Sequence, residues 1–255
     1  MPPTACRGRW AVRQTWTVTD QIPYHEAPPP AFLFDLDGTL IDSVYQHVLA
    51  WRAALNAIGI DLSVWRIHRR IGMSGGLFVT ALLRETGRSL TVAEIEELQV
   101  AHAKEYQERA DSVRPLPGAA ELLATLTERG VPWAIATSGR SITARPALRM
   151  LGLPDDAPMV TRDMVRHAKP DPDLFLAAAA VLGIEPRHTM VVGDSVWDLL
   201  AARRAGALGI GLMSGGYGRE ELERAGAFRV YADPEDMLLR LDELGVRLPV
   251  PPPAG

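Results

Sequence analysis

Ala31-Phe32-Leu33-Phe34-Asp35-Leu36-Asp37-Gly38-Thr39 is the stretch on which the fold turns. Four consecutive apolar residues suit a strand buried on both faces, as in a parallel sheet. Two carboxylates, two positions apart, leave its end, and a glycine then lets the backbone turn. In its blandest form this is a strand closing in a polar turn, which Asp and Gly favour. Chemically it offers hard oxygen ligands for a divalent cation such as Mg2+ and a nucleophile beside an acid, as phosphoryl transfer requires. A calcium loop is excluded by register. Counted from Asp35, such a loop wants Gly at its sixth position and Glu at its twelfth, where Leu40 and Gln46 stand.

Working outward, Asp42 or Ser43 opens a helix over residues 43–58, with Val44, Val48, Trp51, Leu55 and Ile58 on one face. Helical patterns return over 75–86 and 91–109, separated from the first by the glycine-punctuated loop Arg69-Arg70-Ile71-Gly72-Met73-Ser74-Gly75-Gly76. In the last of these, Val92, Ile95, Leu98, His102 and Tyr106 share a side. No strand candidate interrupts 43–110, so this block reads as an all-helical insertion. From Pro115 the pattern alternates: helix 118–129, strand 131–136 ending in Thr137-Ser138-Gly139-Arg140, a helix, a short strand at 159–161, helix 172–182 opened by Asp171 and Pro172, strand 189–192, helix 196–205 and strand 207–212, closing near residue 243. Such alternation predicts an α/β fold: a doubly wound, parallel Rossmann-like sheet carrying an inserted all-helical cap. The expected division is a core of 31–42 and 113–246, a cap of 43–112, an N-terminal extension of 1–30 ending in three prolines, and a Pro-rich tail of 247–255. The two crossings between cap and core, 39–43 and 111–117, are the expected hinges.

Composition narrows the partners. A net charge of −4 gives no electrostatic footprint for a nucleic acid polymer or an anionic membrane, and aromatics at 6% leave few stacking platforms. No apolar run approaches the ~20 residues of a membrane span, and the leading residues contain no apolar stretch of signal-peptide type. The single cysteine, Cys6, cannot form an internal disulfide, which fits a reducing compartment. A cytoplasmic monomer is expected. Among 27 basic residues only Lys104 and Lys169 are lysines, so each invites the question of what a compact ammonium does that a guanidinium does not.

Ligands of doubly wound sheets gather outside the carboxyl ends of the strands. Here three strands end in Asp35 and Asp37, in Thr137 and Ser138, and in Asp194, while Lys169 precedes Pro170 and a helix. Metal-binding carboxylates, hydrogen-bond donors and a cation are what a phosphoryl group in flight needs. Individually each has a plain alternative: a strand-end turn, a solvated surface charge, a helix cap.

Together, Asp35-Leu36-Asp37-Gly38-Thr39, Ala136-Thr137-Ser138-Gly139, Lys169-Pro170-Asp171-Pro172 and Gly193-Asp194-Ser195-Val196-Trp197-Asp198 resemble the motifs of the haloacid dehalogenase superfamily of phosphohydrolases. The likeness spans residues 31 to about 245, and the insertion is similar to the cap of the subgroup containing phosphoglycolate phosphatase and beta-phosphoglucomutase. The resemblance implies that Asp35 attacks phosphorus and Asp37 acts as general acid and then base, starting protonated through a raised pKa. It implies Mg2+ on Asp35, the Asp37 carbonyl and Asp194. Thr137 and the Ser138 backbone would hold phosphoryl oxygens, Lys169 would neutralise phosphate and Asp35, and Asp198 would help from behind.

Asp37 argues against the dehalogenases of the superfamily, which lack that second aspartate because no alcohol needs a proton. A phosphonoacetaldehyde hydrolase would need a Schiff-base lysine in the cap, where only Lys104 stands, on an amphipathic helix. His47 and Trp51 resemble the first cap helix of the mutases, but the arginine expected after Ser74 is Gly75. A phosphatase acting on a small phosphorylated metabolite is therefore favoured over a mutase, with a silent binding protein on the same fold as the remote alternative. His47, Arg70, Ser74 and Arg140 are the expected substrate-facing side chains.

Overall fold

The computed structural model describes residues 30–246. The N-terminal extension, apart from Pro30, and the Pro-rich tail lie outside the described residues. In chain order the first half comprises Ala31–Phe34 (β1), Ile41–Asp42 (β2), Val44–Ala57 (α1), Val64–His68 (α2), Gly75–Thr86 (α3), Val92–Gln107 (α4), Arg114–Pro115 (β3) and Ala119–Glu128 (α5). Then follow Trp133–Ala136 (β4), Ser141–Met150 (α6), Met159–Val160 (β5), Asp173–Leu182 (α7), Thr189–Gly193 (β6) and Val196–Ala205 (α8). Leu208–Leu212 (β7), Arg219–Ala225 (α9), Ala227–Tyr231 (β8) and Pro234–Leu238 (α10) complete them. No helix of the described residues is long and apolar enough to cross a membrane.

Six strands form one parallel sheet in the order β5-β4-β1-β6-β7-β8, so the fold is the α/β, doubly wound one. β1 lies between β4 and β6, with Leu33 opposite Ala134 on one side and Val191 on the other. After β5 the chain crosses back to build outward from the other flank of β1, which makes the carboxyl end of β1 the switch point where such sheets bind ligands. Alternation along β1 serves two cores. Phe32 and Phe34 face Leu122, Leu126 and Leu148, while Leu33 faces Phe175 and Ala178.

The cap has a core of its own, with Val48, Trp51, Leu55, Phe78, Leu82 and Leu98 interlocked among its helices. Each such side chain, fully buried, is worth about 1.5–3 kcal/mol. α4 opens on a reciprocal capping box: the Glu94 N–H donates to Thr91 Oγ1 and the Thr91 N–H to Glu94 Oε2. The two crossings into and out of the cap pair as the short antiparallel ladder of β2 and β3, Ile41 opposite Pro115 and Asp42 opposite Arg114.

Boundaries differ modestly from those read in the sequence. α7 begins at Asp173, with Pro172 rather than Asp171 at its cap, and β4 begins at Trp133. The last strand, β8, has no clean signal because it is an edge whose Phe228 and Arg229 are exposed.

Candidate active site

Asp35 is the first residue past β1, buried, with its N–H donating to the Val192 carbonyl on β6. The chain then folds back at once, as Leu40 and Ile41 donate to the Leu36 carbonyl and Gly38 donates to that of Ile41. This tight loop turns Asp35 and Asp37 toward one cavity of about 430 Å³, which Thr137, His47, Trp51, His102 and Arg140 also line. That size suits a small metabolite.

Lys169 is wholly buried and ion-paired to both Asp35 and Asp198, the latter at 2.8 Å. Burial works against its charge, but Asp198 and Asp35 outweigh burial and hold the ammonium above its usual range. Asp198 is fixed in turn by Ser195, whose N–H and hydroxyl donate to it at 3.1 and 2.5 Å. Asp194 accepts from the Thr39 hydroxyl at 3.0 Å. It is also pressed by the backbone of Gly215, where a Cβ would fall 1.7 Å from Asp194 Oδ2, so only glycine fits.

Oxygens of Asp35, Asp194 and Asp198 lie within 4.8 Å of one another, and one ammonium cannot neutralise three carboxylates. Burial, with repulsion from Asp198 and Asp37 only partly offset by Lys169, raises Asp35 to about 7. Burial and the charges of Asp198 and Asp35 push Asp194 well above the ordinary carboxylate range. A buried site with surplus negative charge and hard oxygen donors fits a divalent cation such as Mg2+. Since Asp198 is committed to Lys169 and Ser195, Asp35 and Asp194 are the carboxylates best placed to serve it.

Asp37 departs from the sequence expectation. Burial favours its protonation, but the charge and hydrogen bond of His47 and the hydroxyl of Ser43 prevail, and the carboxyl sits below its ordinary value. Both partners reach Oδ1, Ser43 Oγ at 2.6 Å and His47 Nε2 at 3.2 Å. Ser43 stands at the N-cap of α1 yet makes no cap bond, its hydroxyl being spent on Asp37. The raised pKa expected for Asp37 is thus corrected: a histidine delivered by the cap and the Ser43 hydroxyl favour its ionised form. Behind His47 stands His102, Nε2 to Nδ1 at 3.2 Å, kept neutral first by burial and then by the His47 charge. Trp51 stacks on His102 and Tyr106 on His47, with centroids 4.0 and 3.9 Å apart. In sequence, His102 reads only as a member of a packing stripe. Thr39 and Ser43 carry no signal beyond their nearness to the aspartates.

The other expected residues divide. Thr137 is buried and its Oγ1 accepts the Gly139 N–H at 2.9 Å. The Ser138 hydroxyl donates to the Gly72 carbonyl of the cap at 3.0 Å, and the residue lines the cavity. Arg140 lines the mouth, 4.0 Å from Asp163 and within reach of Gln99. Arg70 does not face the cavity: Glu85 holds its guanidinium along the cap surface, where it also donates to the Arg66 carbonyl. Ser74 is buried and contributes its N–H, which donates to the Lys169 carbonyl at 3.2 Å.

Residues 29–206 match the model of the haloacid dehalogenase-like hydrolases. The chain belongs to this family. Among curated haloacid dehalogenase-like relatives, hexitol phosphatase A of Escherichia coli (strain K12) is 33% identical over 177 residues, covering 69% of this chain and 79% of that protein. Beta-phosphoglucomutase of Bacillus subtilis (strain 168) is 30% identical over 191 residues, 72% and 84% respectively. A crystal structure of a hydrolase from Pseudomonas syringae superposes with a TM-score of 0.83 at 54% identity, over 84% of this chain and 99% of that one.

Proposed function

We propose that this protein is a Mg2+-dependent phosphatase that hydrolyses a small phosphate monoester through an aspartyl-phosphate on Asp35. The observation that carries the reading is the convergence of Asp35, Asp37, Asp194 and Lys169, from three separate segments, at the carboxyl end of the central strand. Asp35 Oδ attacks phosphorus and the bond to the leaving oxygen breaks. That oxygen takes a proton from the Asp37–His47 pair. An arriving phosphoryl group adds negative charge beside Asp37 and strengthens its hold on a proton, which offsets the lowering by His47 and Ser43. Water then attacks phosphorus, Asp37 takes its proton, and Asp35 is released with phosphate. Thr137 and the Ser138 N–H hold phosphoryl oxygens, while Lys169 lets two anions approach. Asp35, the Asp37 carbonyl and Asp194 would hold Mg2+, which would supply the charge neutralisation that one lysine leaves incomplete.

Hydrolysis is favoured over phosphoryl return to a second hydroxyl. A mutase needs a grip on a second phosphate, Gly75 offers none, and the neighbouring Arg69 and Arg70 are occupied by Glu221 and Glu85. Relatives that carry phosphatase names support the same choice. Mg2+-dependent release of phosphate from an aryl phosphate, abolished in Asp35→Asn, is the expected result. A panel of phosphometabolites that includes beta-glucose 1-phosphate with glucose 1,6-bisphosphate then separates the two reactions. Net formation of the 6-isomer faster than free phosphate would overturn the phosphatase reading.

A further inference from the structure

Three cap residues, His68 and Arg69 at the end of α2 and Gly72 in the loop after it, rest on the core around the backing of Asp194. His68 is buried, and its Nε2 donates to the Gly215 carbonyl at 2.7 Å, with Tyr45 stacked on its ring at 5.4 Å. Next to it, the Arg69 carbonyl accepts two donors, Tyr217 Oη at 2.9 Å and Trp197 Nε1 at 3.2 Å. The Arg69 guanidinium pairs with Glu221 and lies 4.6 Å over the Tyr217 ring. Three residues on, Gly72 comes so close to the core that a Cβ there would stand 2.8 Å from Ser195 Oγ.

These contacts concentrate on two pieces of core. One is Ser195–Trp197, directly after Asp194. The other is the segment Met213–Tyr217, whose Gly215 presses on Asp194 and whose Ser214 hydroxyl donates to the Gly38 carbonyl at 2.6 Å. Gly215 therefore touches the carboxylate with its main chain and the cap with its carbonyl oxygen.

We propose that His68 and Arg69 are positioning residues: they clasp the cap to the segment that backs Asp194, so that cap closure and occupation of the cation site favour one another. A coupling of this kind needs one element with contacts to both sites that differ between states, and residues 213–217 make both sets. Opening the cap must break the His68 and Arg69 bonds. It thereby frees Gly215 to move off Asp194.

The inference rests on the cation site of the proposed function, but hydrogen exchange tests it without any turnover. In the full-length wild type, Mg2+ alone is expected to slow amide exchange in both 213–217 and 68–74. In His68→Phe, which keeps the ring stack and removes the donor, Mg2+ slows 213–217 only. A double variant, Tyr217→Phe with Glu221→Gln, swaps a buried phenol and an exposed carboxylate for near-isosteric groups, and its far-UV circular dichroism is expected to match the wild type. It is expected to raise KM for an aryl phosphate about tenfold, as the loss of one hydrogen bond and one exposed ion pair implies, with kcat changed far less. Protection of 213–217 without protection of 68–74 in the wild type would overturn the clasp, as would an unchanged KM in the double variant. A wild type that shows Mg2+-linked protection of both segments but hydrolyses nothing leaves the clasp standing and sinks the phosphatase reading instead.

Discussion

At the scale of single residues, two aspartates separated by one leucine are driven in opposite directions. Asp35 is buried beside Lys169 and two other carboxylates and is raised to about 7, whereas Asp37 is lowered by a histidine and a serine. These directions run opposite to the proposed roles, so Asp35 attacks once a bound cation has favoured its ionised form and Asp37 donates once an arriving anion has strengthened its hold on a proton. Asp37→Asn should cut kcat by about 10²–10⁴-fold on an alkyl phosphate, the range of a lost general acid. The loss should be much smaller on a nitrophenyl phosphate, whose leaving group needs no proton. Equal losses on both, measured as kcat, would show that Asp37 acts through something other than the leaving oxygen. Strand-end placement of Asp35, Asp37, Thr137 and Asp194 is legible in the sequence because each follows an apolar run directly. The direction of the Asp37 shift is not, since its cause sits on a helix ten residues later and turns inward only when the cap is seated.

At the scale of elements, the cap helices are readable from their apolar spacing, and α3 and α4 fall within two residues of their expected ends. Harder to see are α2, only five residues long, and the half-exposed edge β8, neither of which repeats its period enough to register. Arg70 illustrates a different limit. Its place in a glycine-rich loop suggested the cavity, but an acidic partner on α3, fifteen residues on, holds it elsewhere. The Thr91–Glu94 box is exposed and remote from the site. Thr91→Ala should therefore cost about 1 kcal/mol of stability, read as a lower denaturant midpoint, with kcat unchanged at 25 °C. A fall in kcat without loss of stability would mean that α4 communicates with the cavity through its start as well as through His102.

At the scale of the whole molecule, the carboxylate cluster makes stability depend on pH and on the cation together. The folded-state pKa of Asp35, about 7, exceeds its unfolded value of 3.8, and Asp194 is raised as well. Between these limits the native state binds more protons than the unfolded one, so stability conferred by this pair falls as pH rises. Asp37 has the opposite sign, and its contribution is lost only as pH drops through its lowered value. Metal-free protein should accordingly lose Tm from pH 5 to pH 8, and the upward shift produced by Mg2+ should grow over the same interval as protons cease to compete. A Mg2+ effect on Tm that is flat with pH would contradict the charge balance drawn for the site. The pairing of Ile41 with Pro115 and of Asp42 with Arg114 has a reach beyond this chain. Because the helical excursion departs and returns through one two-rung stem, inserting it leaves the order of the sheet undisturbed, while His47, His68 and Arg69 tie it back down to the core. Lid loops away from those ties are therefore free to drift and retune which metabolite is admitted, whereas the histidine on the first lid helix has to be kept with the aspartate that it serves.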